Sequence, residues 1–250
     1  MNILVTRPEP DATQLATVLE QHGHQCHVWP AMAFAAPPNT DSALAFCRNC
    51  KADDIIIVGS KHVVSFIPEV VKTLQTHQGI ILAIGKGTAD VLTKHQIQVD
   101  AYPVPGGSDT LLALPQLQAL QGKTVWLLRA QDGRELLPAA LPSRGAKVKA
   151  VMCYQRVHNN NGKALFTQWQ LQPFDLVIAS NFSALDNLIA ALGPKHLARF
   201  TRLPITVIGQ KMLDLAKSVN SKPLLLNAVD NDSLVNCVEH FNDRKSSRQS

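Results

Sequence analysis

The chain has 250 residues, 46% of them hydrophobic and 17% charged, with a formal net charge of +5. That balance excludes an intrinsically disordered chain, and the length allows one large domain or two small ones. No run reaches the ~18 apolar residues of a membrane helix, and the N-terminus has neither the basic region nor the apolar core of a signal peptide, so a cytoplasmic protein without a membrane partner is expected.

Ile3-Leu4-Val5-Thr6 predicts a short strand ending at Arg7. Leu15, Val18 and Leu19 follow at helical spacing, and Gly23 closes that helix. His22-Gly23-His24-Gln25-Cys26-His27 has the residue types of a metal site, but no second ligand cluster supports it, and no metal is expected. Turn residues collect at Ala35-Ala36-Pro37-Pro38-Asn39-Thr40. Cys47-Arg48-Asn49-Cys50 has redox spacing but sits near a helix end, without the helix N-terminus that would favour a thiolate. Five cysteines without a framework pattern read as reduced thiols.

Ile55-Ile56-Ile57-Val58 is a second strand, leading through Gly59 to Ser60. Ile80 to Ile84 is another, and Gly85-Lys86-Gly87-Thr88-Ala89-Asp90 after it opens a helix in the manner of a dinucleotide turn. Asp90 stands where that motif needs its third glycine, so nicotinamide binding is disfavoured, although free N–H groups at such a turn still suit an anion. Val125-Trp126-Leu127-Leu128 ends in Arg129, and Leu136, Leu137 and Leu141 lead to Gly145. Tyr154, one of only two tyrosines, precedes a second turn cluster, His158-Asn159-Asn160-Asn161-Gly162. Strands ending at Ser180 and before Gly209 follow, and Gly209-Gln210-Lys211-Met212 lacks the later glycines of the first copy. Basic residues are scattered, apart from Asp243-Arg244-Lys245-Ser246-Ser247-Arg248, read as a frayed, solvated tail, so a nucleic-acid partner is not expected.

The chain repeats itself. Arg7 matches Arg129, Gly23 matches Gly145, Ser60 matches Ser180, Gly85 matches Gly209 and Asp109 matches Asp232, in order and always about 120 residues apart. Short apolar strands alternating with helices mean parallel sheets covered on both faces, and two copies mean two α/β domains. The two turn clusters lie at equivalent points, so the chain is expected to leave one domain near 36 and return near 158. Residues 1–35 plus 160–245 then form the first domain, 38–155 the second, and 246–250 a flexible tail.

In parallel sheets the carboxyl ends of the strands form the ligand-binding edge. Arg7, Ser60, Thr88, Arg129 and Ser180 stand there; Ser60 and Ser180 equally suit helix N-caps, and Arg7 and Arg129 surface charges. Hydrolase, Walker and zincin signatures are absent. A modest positive field favours an acidic small molecule, and a two-lobed binder without catalysis is the alternative reading.

Five segments, taken in order, resemble the uroporphyrinogen-III synthase family: Ile3-Leu4-Val5-Thr6-Arg7-Pro8, Ser60-Lys61-His62-Val63-Val64, Ala83-Ile84-Gly85-x-x-Thr88-Ala89, Leu128-Arg129-x-x-x-Gly133-Arg134-Glu135-Leu136, and Arg144-Gly145-Ala146-Lys147-Val148 followed by Cys153-Tyr154-Gln155-Arg156. The resemblance implies a HemD-like fold: two similar parallel-sheet α/β domains joined by a two-stranded linker, with the active cleft between them. It implies closure of hydroxymethylbilane to uroporphyrinogen III, with loss of water and inversion of ring D through a spirocyclic pyrrolenine, and with no cofactor. Tyr154 is then the catalytic proton donor. The eight substrate carboxylates would meet Arg7, Ser60, Lys61, Gly85, Thr88, Arg129, Ser180, Gly209 and Lys211. A monomer in transient contact with hydroxymethylbilane synthase is expected. Where some members carry a Thr, this chain has the Gly209-Gln210-Lys211 turn, which puts a symmetrical second hydroxyl contact in doubt and offers Lys211 instead.

Overall fold

A computed structural model describes residues 1–247, with backbone only at 195, 197, 245 and 246. In chain order the elements are β1 (Asn2–Val5), α1 (Asp11–Gln21), β2 (Gln25–Val28), β3 (Met32–Ala35), α2 (Asp41–Asn49), β4 (Ile55–Val58), α3 (Pro68–Thr76), β5 (Ile80–Ala83), α4 (Lys86–Lys94) and α5 (Ser108–Leu112). They continue with β6 (Thr124–Ala130), α6 (Leu136–Ala140), β7 (Lys147–His158), α7 (Gly162–Leu171), β8 (Leu176–Ile178), α8 (Phe182–Leu192), β9 (Pro204–Val207), α9 (Gly209–Ser218), β10 (Lys222–Leu225) and α10 (Asn231–Ser246). The chain divides into two compact units, one made of Met1–Ala33 with the segment from Val157 onward, the other of Phe34–Arg156. The divisions fall inside β3 and β7, and the turn clusters noted in the sequence begin on the last residue of each of those strands.

The first unit carries a five-stranded sheet in the order β10-β9-β8-β1-β2, the second a sheet in the order β3-β7-β6-β4-β5. In the first, β1 runs parallel to β2 and β8, and β9 runs parallel to β8 and β10. In the second, β4 runs parallel to β5 and β6, and β6 to β7. The repeat explains the matching orders. β1 corresponds to β6, β8 to β4 and β9 to β5, and Ala101 makes a lone parallel bridge to Leu82 of β5 where β10 flanks β9. Each sheet therefore takes its opening strands from one half of the sequence and its closing strands from the other.

Helices cover both faces of each sheet, which is why the central strands read as unbroken apolar runs. In the first unit Ile3 and Val5 pack with Leu15 and Leu19 of α1 and Leu234 and Val238 of α10, while Leu4 turns the other way, toward Leu165 of α7 and Leu188 of α8. In the second, Ile56 and Val58 meet Phe46, Val70, Leu74 and Leu92, and Ile55 and Ile57 meet Leu111 and Leu137. Gly23 and Gly145, at φ of +81° and +88°, adopt the left-handed turn that closes the equivalent segments of each half.

Two buried polar groups hold the sheets where strands alone do not. Asp54 is buried; its Oδ2 accepts from the Trp126 indole N–H at 2.8 Å and from the Lys51 amide at 2.9 Å. Thr206 is fully buried, and its hydroxyl accepts from the Ala179 amide at 2.9 Å and donates to the Ala179 carbonyl at 3.0 Å. This bridges β9 to the end of β8, where the strands share a single register pair, Val177 with Ile205. Thr206→Val keeps the shape and removes the bridge, and is expected to lower stability by about 1–2 kcal/mol in a denaturant titration; a change below a few tenths would count against the bridge.

The histidine motif is structural. His24 is almost wholly buried, with Nε2 2.9 Å from Glu239 Oε1 of α10, and His22 Nδ1 lies 3.4 Å from the same oxygen. Among the described residues, no three His, Cys, Asp or Glu side chains come together as metal ligands. The expected frayed tail is corrected: α10 runs through Ser246, so residues 243–246 are helical, and residues 248–250 of the expected tail lie outside the described residues. Among the described residues no helix is long and apolar enough to cross a membrane.

Candidate active site

The sequence-predicted residues divide between the two units, and in each they gather at the carboxyl ends of parallel strands. In the first unit Arg7 follows β1, Ser180 follows β8, and Gly209 and Lys211 open α9 after β9. Arg7 is only 12% exposed and already engaged: Nη1 donates to Asn231 Oδ1 at 2.8 Å, and Nη2 lies 3.6 Å from Asp11. It ties the start of α10 to the end of β1. Ser180 is not the cap of α8, as its alternative reading had it; Asn181 takes that place, accepting from the Ala184 amide at 2.9 Å. Lys211 is exposed.

In the second unit Ser60 and Lys61 follow β4, Gly85 and Thr88 follow β5, Arg129 lies at the end of β6 and Tyr154 on β7. Ser60 caps a short 3-10 turn, Lys61–Val64, accepting from the His62 amide at 3.3 Å. Gly85 and Gly106 sit backbone to backbone: a Cβ on Gly85 would lie 3.0 Å from the Gly106 Cα. The third-glycine position of the sequence motif is filled by Asp90, which grips Lys86 at 2.8 Å and holds that ammonium above its ordinary pKa, chiefly through this hydrogen bond. Thr88 is buried, and its hydroxyl has no hydrogen-bond partner among the described residues.

A local irregularity aims Tyr154. Arg129 of β6 pairs with Met152, but the next residue, Ala130, pairs with Tyr154, so Cys153 is bulged out of register. Bulges re-aim side chains beside sites, and here the consecutive Cys153 and Tyr154 both enter one hydrophobic cluster. Tyr154 is 3% exposed, its ring edge-on to Phe34 at 5.8 Å and tilted against His62 at 5.7 Å, while Phe34 and His62 stack at 3.7 Å. Its phenol has no hydrogen-bond partner among the described residues. The neighbouring Cys153 thiol is pushed well above its ordinary pKa by burial and is inert. Cys50, of the redox-like pair, is pushed up to about 12 by burial and then by Asp54, which disfavours its thiolate.

Tyr154 and Arg129 share a pocket of about 280 Å³, lined also by Gly59, Ser108, Arg134 and Arg156. Arg129 is 11% exposed and donates to Glu135 Oε1 at 2.7 Å and to the Gly133 carbonyl. Arg156 Nη1 lies 2.8 Å from Asp132 Oδ2. Three guanidiniums beside one phenol make a pocket that can pair with acid groups and can place a proton donor next to them. Arg134 and Arg156 were not among the expected site residues, although both stand in the family-like segments Gly133-Arg134-Glu135 and Cys153-Tyr154-Gln155-Arg156, which was the available signal. Ser60, Lys61 and Thr88 line the same sheet edge without entering this pocket. A larger cavity of about 800 Å³ lies in the first unit, with Trp169, Phe174, Arg199, Arg202 and Lys222 on its walls. It opens at the amino ends of β8, β9 and β10, away from every predicted site residue, so size alone does not locate the chemistry.

Residues 13–236 match the family described as Uroporphyrinogen-III synthase HemD. The uroporphyrinogen-III synthase of Escherichia coli K12 is 28% identical over 254 residues, spanning 96% of this chain and all of that protein. That of Proteus mirabilis is 35% identical over 164 residues, covering 63% of this chain and 81% of the relative. Among solved structures, a mutant uroporphyrinogen III synthase of Thermus thermophilus superposes with a TM-score of 0.63 at 18% identity over 99% of both chains. The uroporphyrinogen-III synthetase of Helicobacter pylori 26695 gives 0.58 at 17% identity, over 97% of this chain and 98% of that one. These two structural likenesses bear on the fold, which is the two-unit α/β architecture expected from the sequence. With a family match over most of its length and a relative of the same name matched over its whole length, the chain belongs to the uroporphyrinogen-III synthase family.

Proposed function

We propose that the chain closes hydroxymethylbilane to uroporphyrinogen III, with loss of water and inversion of ring D, and that the Tyr154 pocket handles the departing hydroxyl and the acid groups around it. The observation that carries this reading is the meeting of one phenol without a partner and three arginines in a single pocket. A pocket of about 280 Å³ takes one pyrrole with its acid side chains, not a whole tetrapyrrole. Tyr154 donates a proton as the hydroxyl leaves ring A. The azafulvenium that remains is electrophilic enough for the substituted carbon of ring D to attack without an activated nucleophile. The resulting spirocyclic pyrrolenine fragments and recloses with that ring reversed. What the protein supplies is chiefly conformation, so that attack at the substituted carbon wins over the simpler closure.

Arg129, the Ser60-Lys61 turn, and the Gly85 turn with Thr88 are the proposed carboxylate partners in the second unit. At the start of α4 the Thr88 amide donates to the Gly85 carbonyl at 3.1 Å, which leaves the Lys86 and Gly87 amides to suit an anion. In the first unit Ser180, Gly209 and Lys211 are proposed as further contacts, and Arg7 contributes only if it leaves Asn231. The same reading holds the enzyme to be a cytoplasmic monomer that meets hydroxymethylbilane synthase transiently to receive an unstable substrate.

The deciding assay supplies hydroxymethylbilane and resolves the type III from the type I product. Predominant type III is expected, and an excess of type I would sink the reading. Affinity for the polyanionic product is further expected to fall as salt rises, because the more exposed Arg134 and Arg156 guanidiniums act over a screening length of only about 10 Å at 0.1 M salt. A flat salt response in a binding titration would argue against electrostatic capture.

A further inference from the structure

The loop between β6 and α6, residues 131–135, sets two carboxylates against the pocket arginines: Glu135 on Arg129 at 2.7 Å and Asp132 on Arg156 at 2.8 Å. The exposures are asymmetric. The Arg129 and Arg156 side chains are 11% and 36% exposed, whereas Glu135 and Asp132 are 79% and 59% exposed. The cations belong to the pocket wall, and the anions reach them from solvent on a short loop. That loop is fitted to the arrangement at Gly133, where a Cβ would come within 3.0 Å of the Arg129 guanidinium carbon. The third guanidinium, Arg134, makes no ion pair among the described residues.

We propose that Asp132 and Glu135 are resident stand-ins for substrate carboxylates. They hold Arg156 and Arg129 while the pocket is empty and are displaced, charge for charge, when the acid side chains of a pyrrole enter. This inference rests on the reading of the pocket as a substrate site. Exchange of one carboxylate for another leaves neither Arg129 nor Arg156 bare, so neither passes through an unpaired, partly buried state. It also means that the loop competes with the ligand. Once the exchange is complete, Arg129 and Arg156 pair with the ring acids in place of Glu135 and Asp132, and when the ligand leaves, the loop takes its place.

The test is equilibrium binding of the octacarboxylate porphyrin obtained by oxidising the product, followed by fluorescence, to the whole protein and to D132N/E135Q, each single variant and R129M. An exposed ion pair of ordinary strength corresponds to up to about a fivefold change in a competing equilibrium, so the double variant is expected to bind about tenfold tighter at low salt and each single variant about threefold tighter. The gain is expected to shrink as salt rises. If R129M weakens binding while the loop variants match the unsubstituted protein or bind more weakly, the exchange is refuted and the pocket stands. If R129M leaves binding unchanged, the pocket itself is not the site. Circular dichroism of each variant separates these outcomes from misfolding, and should the double variant not fold, the single isosteric changes decide the question in the same way.

Discussion

Tyr154→Phe is expected to slow ring closure by on the order of 10²-fold, the lower end of what one positioned acid supplies, with KM and thermal stability nearly unchanged. The separation follows from the geometry. The ring is buried against Phe34 and His62, and phenylalanine keeps those contacts. The hydroxyl has no partner among the described residues, so its removal breaks no internal bond. A fall in kcat without a fall in stability would mark the hydroxyl as serving the substrate. Single-turnover closure of hydroxymethylbilane by a variant with an unaltered melting curve is the measurement; unchanged turnover would remove Tyr154 from the mechanism. The product ratio carries a second message, since slower proton donation with intact positioning should still yield type III.

The second large effect is on stability. Asp54→Ala is expected to cost about 2–4 kcal/mol, because it strands the buried Trp126 indole N–H and the Lys51 amide without an acceptor. Trp126 packs edge-on to Phe46 at 5.3 Å, so any shift of the indole in search of a new partner disturbs the core on that face of the sheet. A denaturant titration measures the loss directly. If it proves smaller than about 1 kcal/mol, water has replaced the carboxylate and the contact is peripheral.

What the sequence made legible was whatever is local or repeated. Strand runs such as 55–58 and 80–83, the glycines at 23 and 145, and the matched pairs from Arg7 with Arg129 onward need no distant partner to be read. The Asp54 to Trp126 bond joins residues 72 apart and left no periodic trace, so an acidic residue in a polar turn gave no hint of burial. The bulge that redirects Tyr154 is likewise invisible, because a strand with one extra residue still reads as a strand. Arg129 was legible from its position at a strand end; that it is nearly covered and held by Glu135 was not, since that depends on how the following loop folds back. The helix over residues 243–246 was missed because an exposed, charged run reads as a frayed end, whereas Leu234 and Val238 on α10 anchor the helix that carries it.

The interleaved strand order also governs the sequence of events during synthesis. The second unit is one continuous stretch, Phe34–Arg156, and can close its sheet once that stretch has left the ribosome. Strands β1 and β2 are made before the second unit but pair into a sheet whose other members, β8, β9 and β10, are made after it. At about 10 residues per second, the apolar Ile3-Leu4-Val5 run therefore waits on the order of 20 s for its neighbour β8. The nascent chain must keep β1 and β2 out of trouble while the whole second unit is being made, so chaperone demand should be greatest on those two strands and should fall only when β8 emerges.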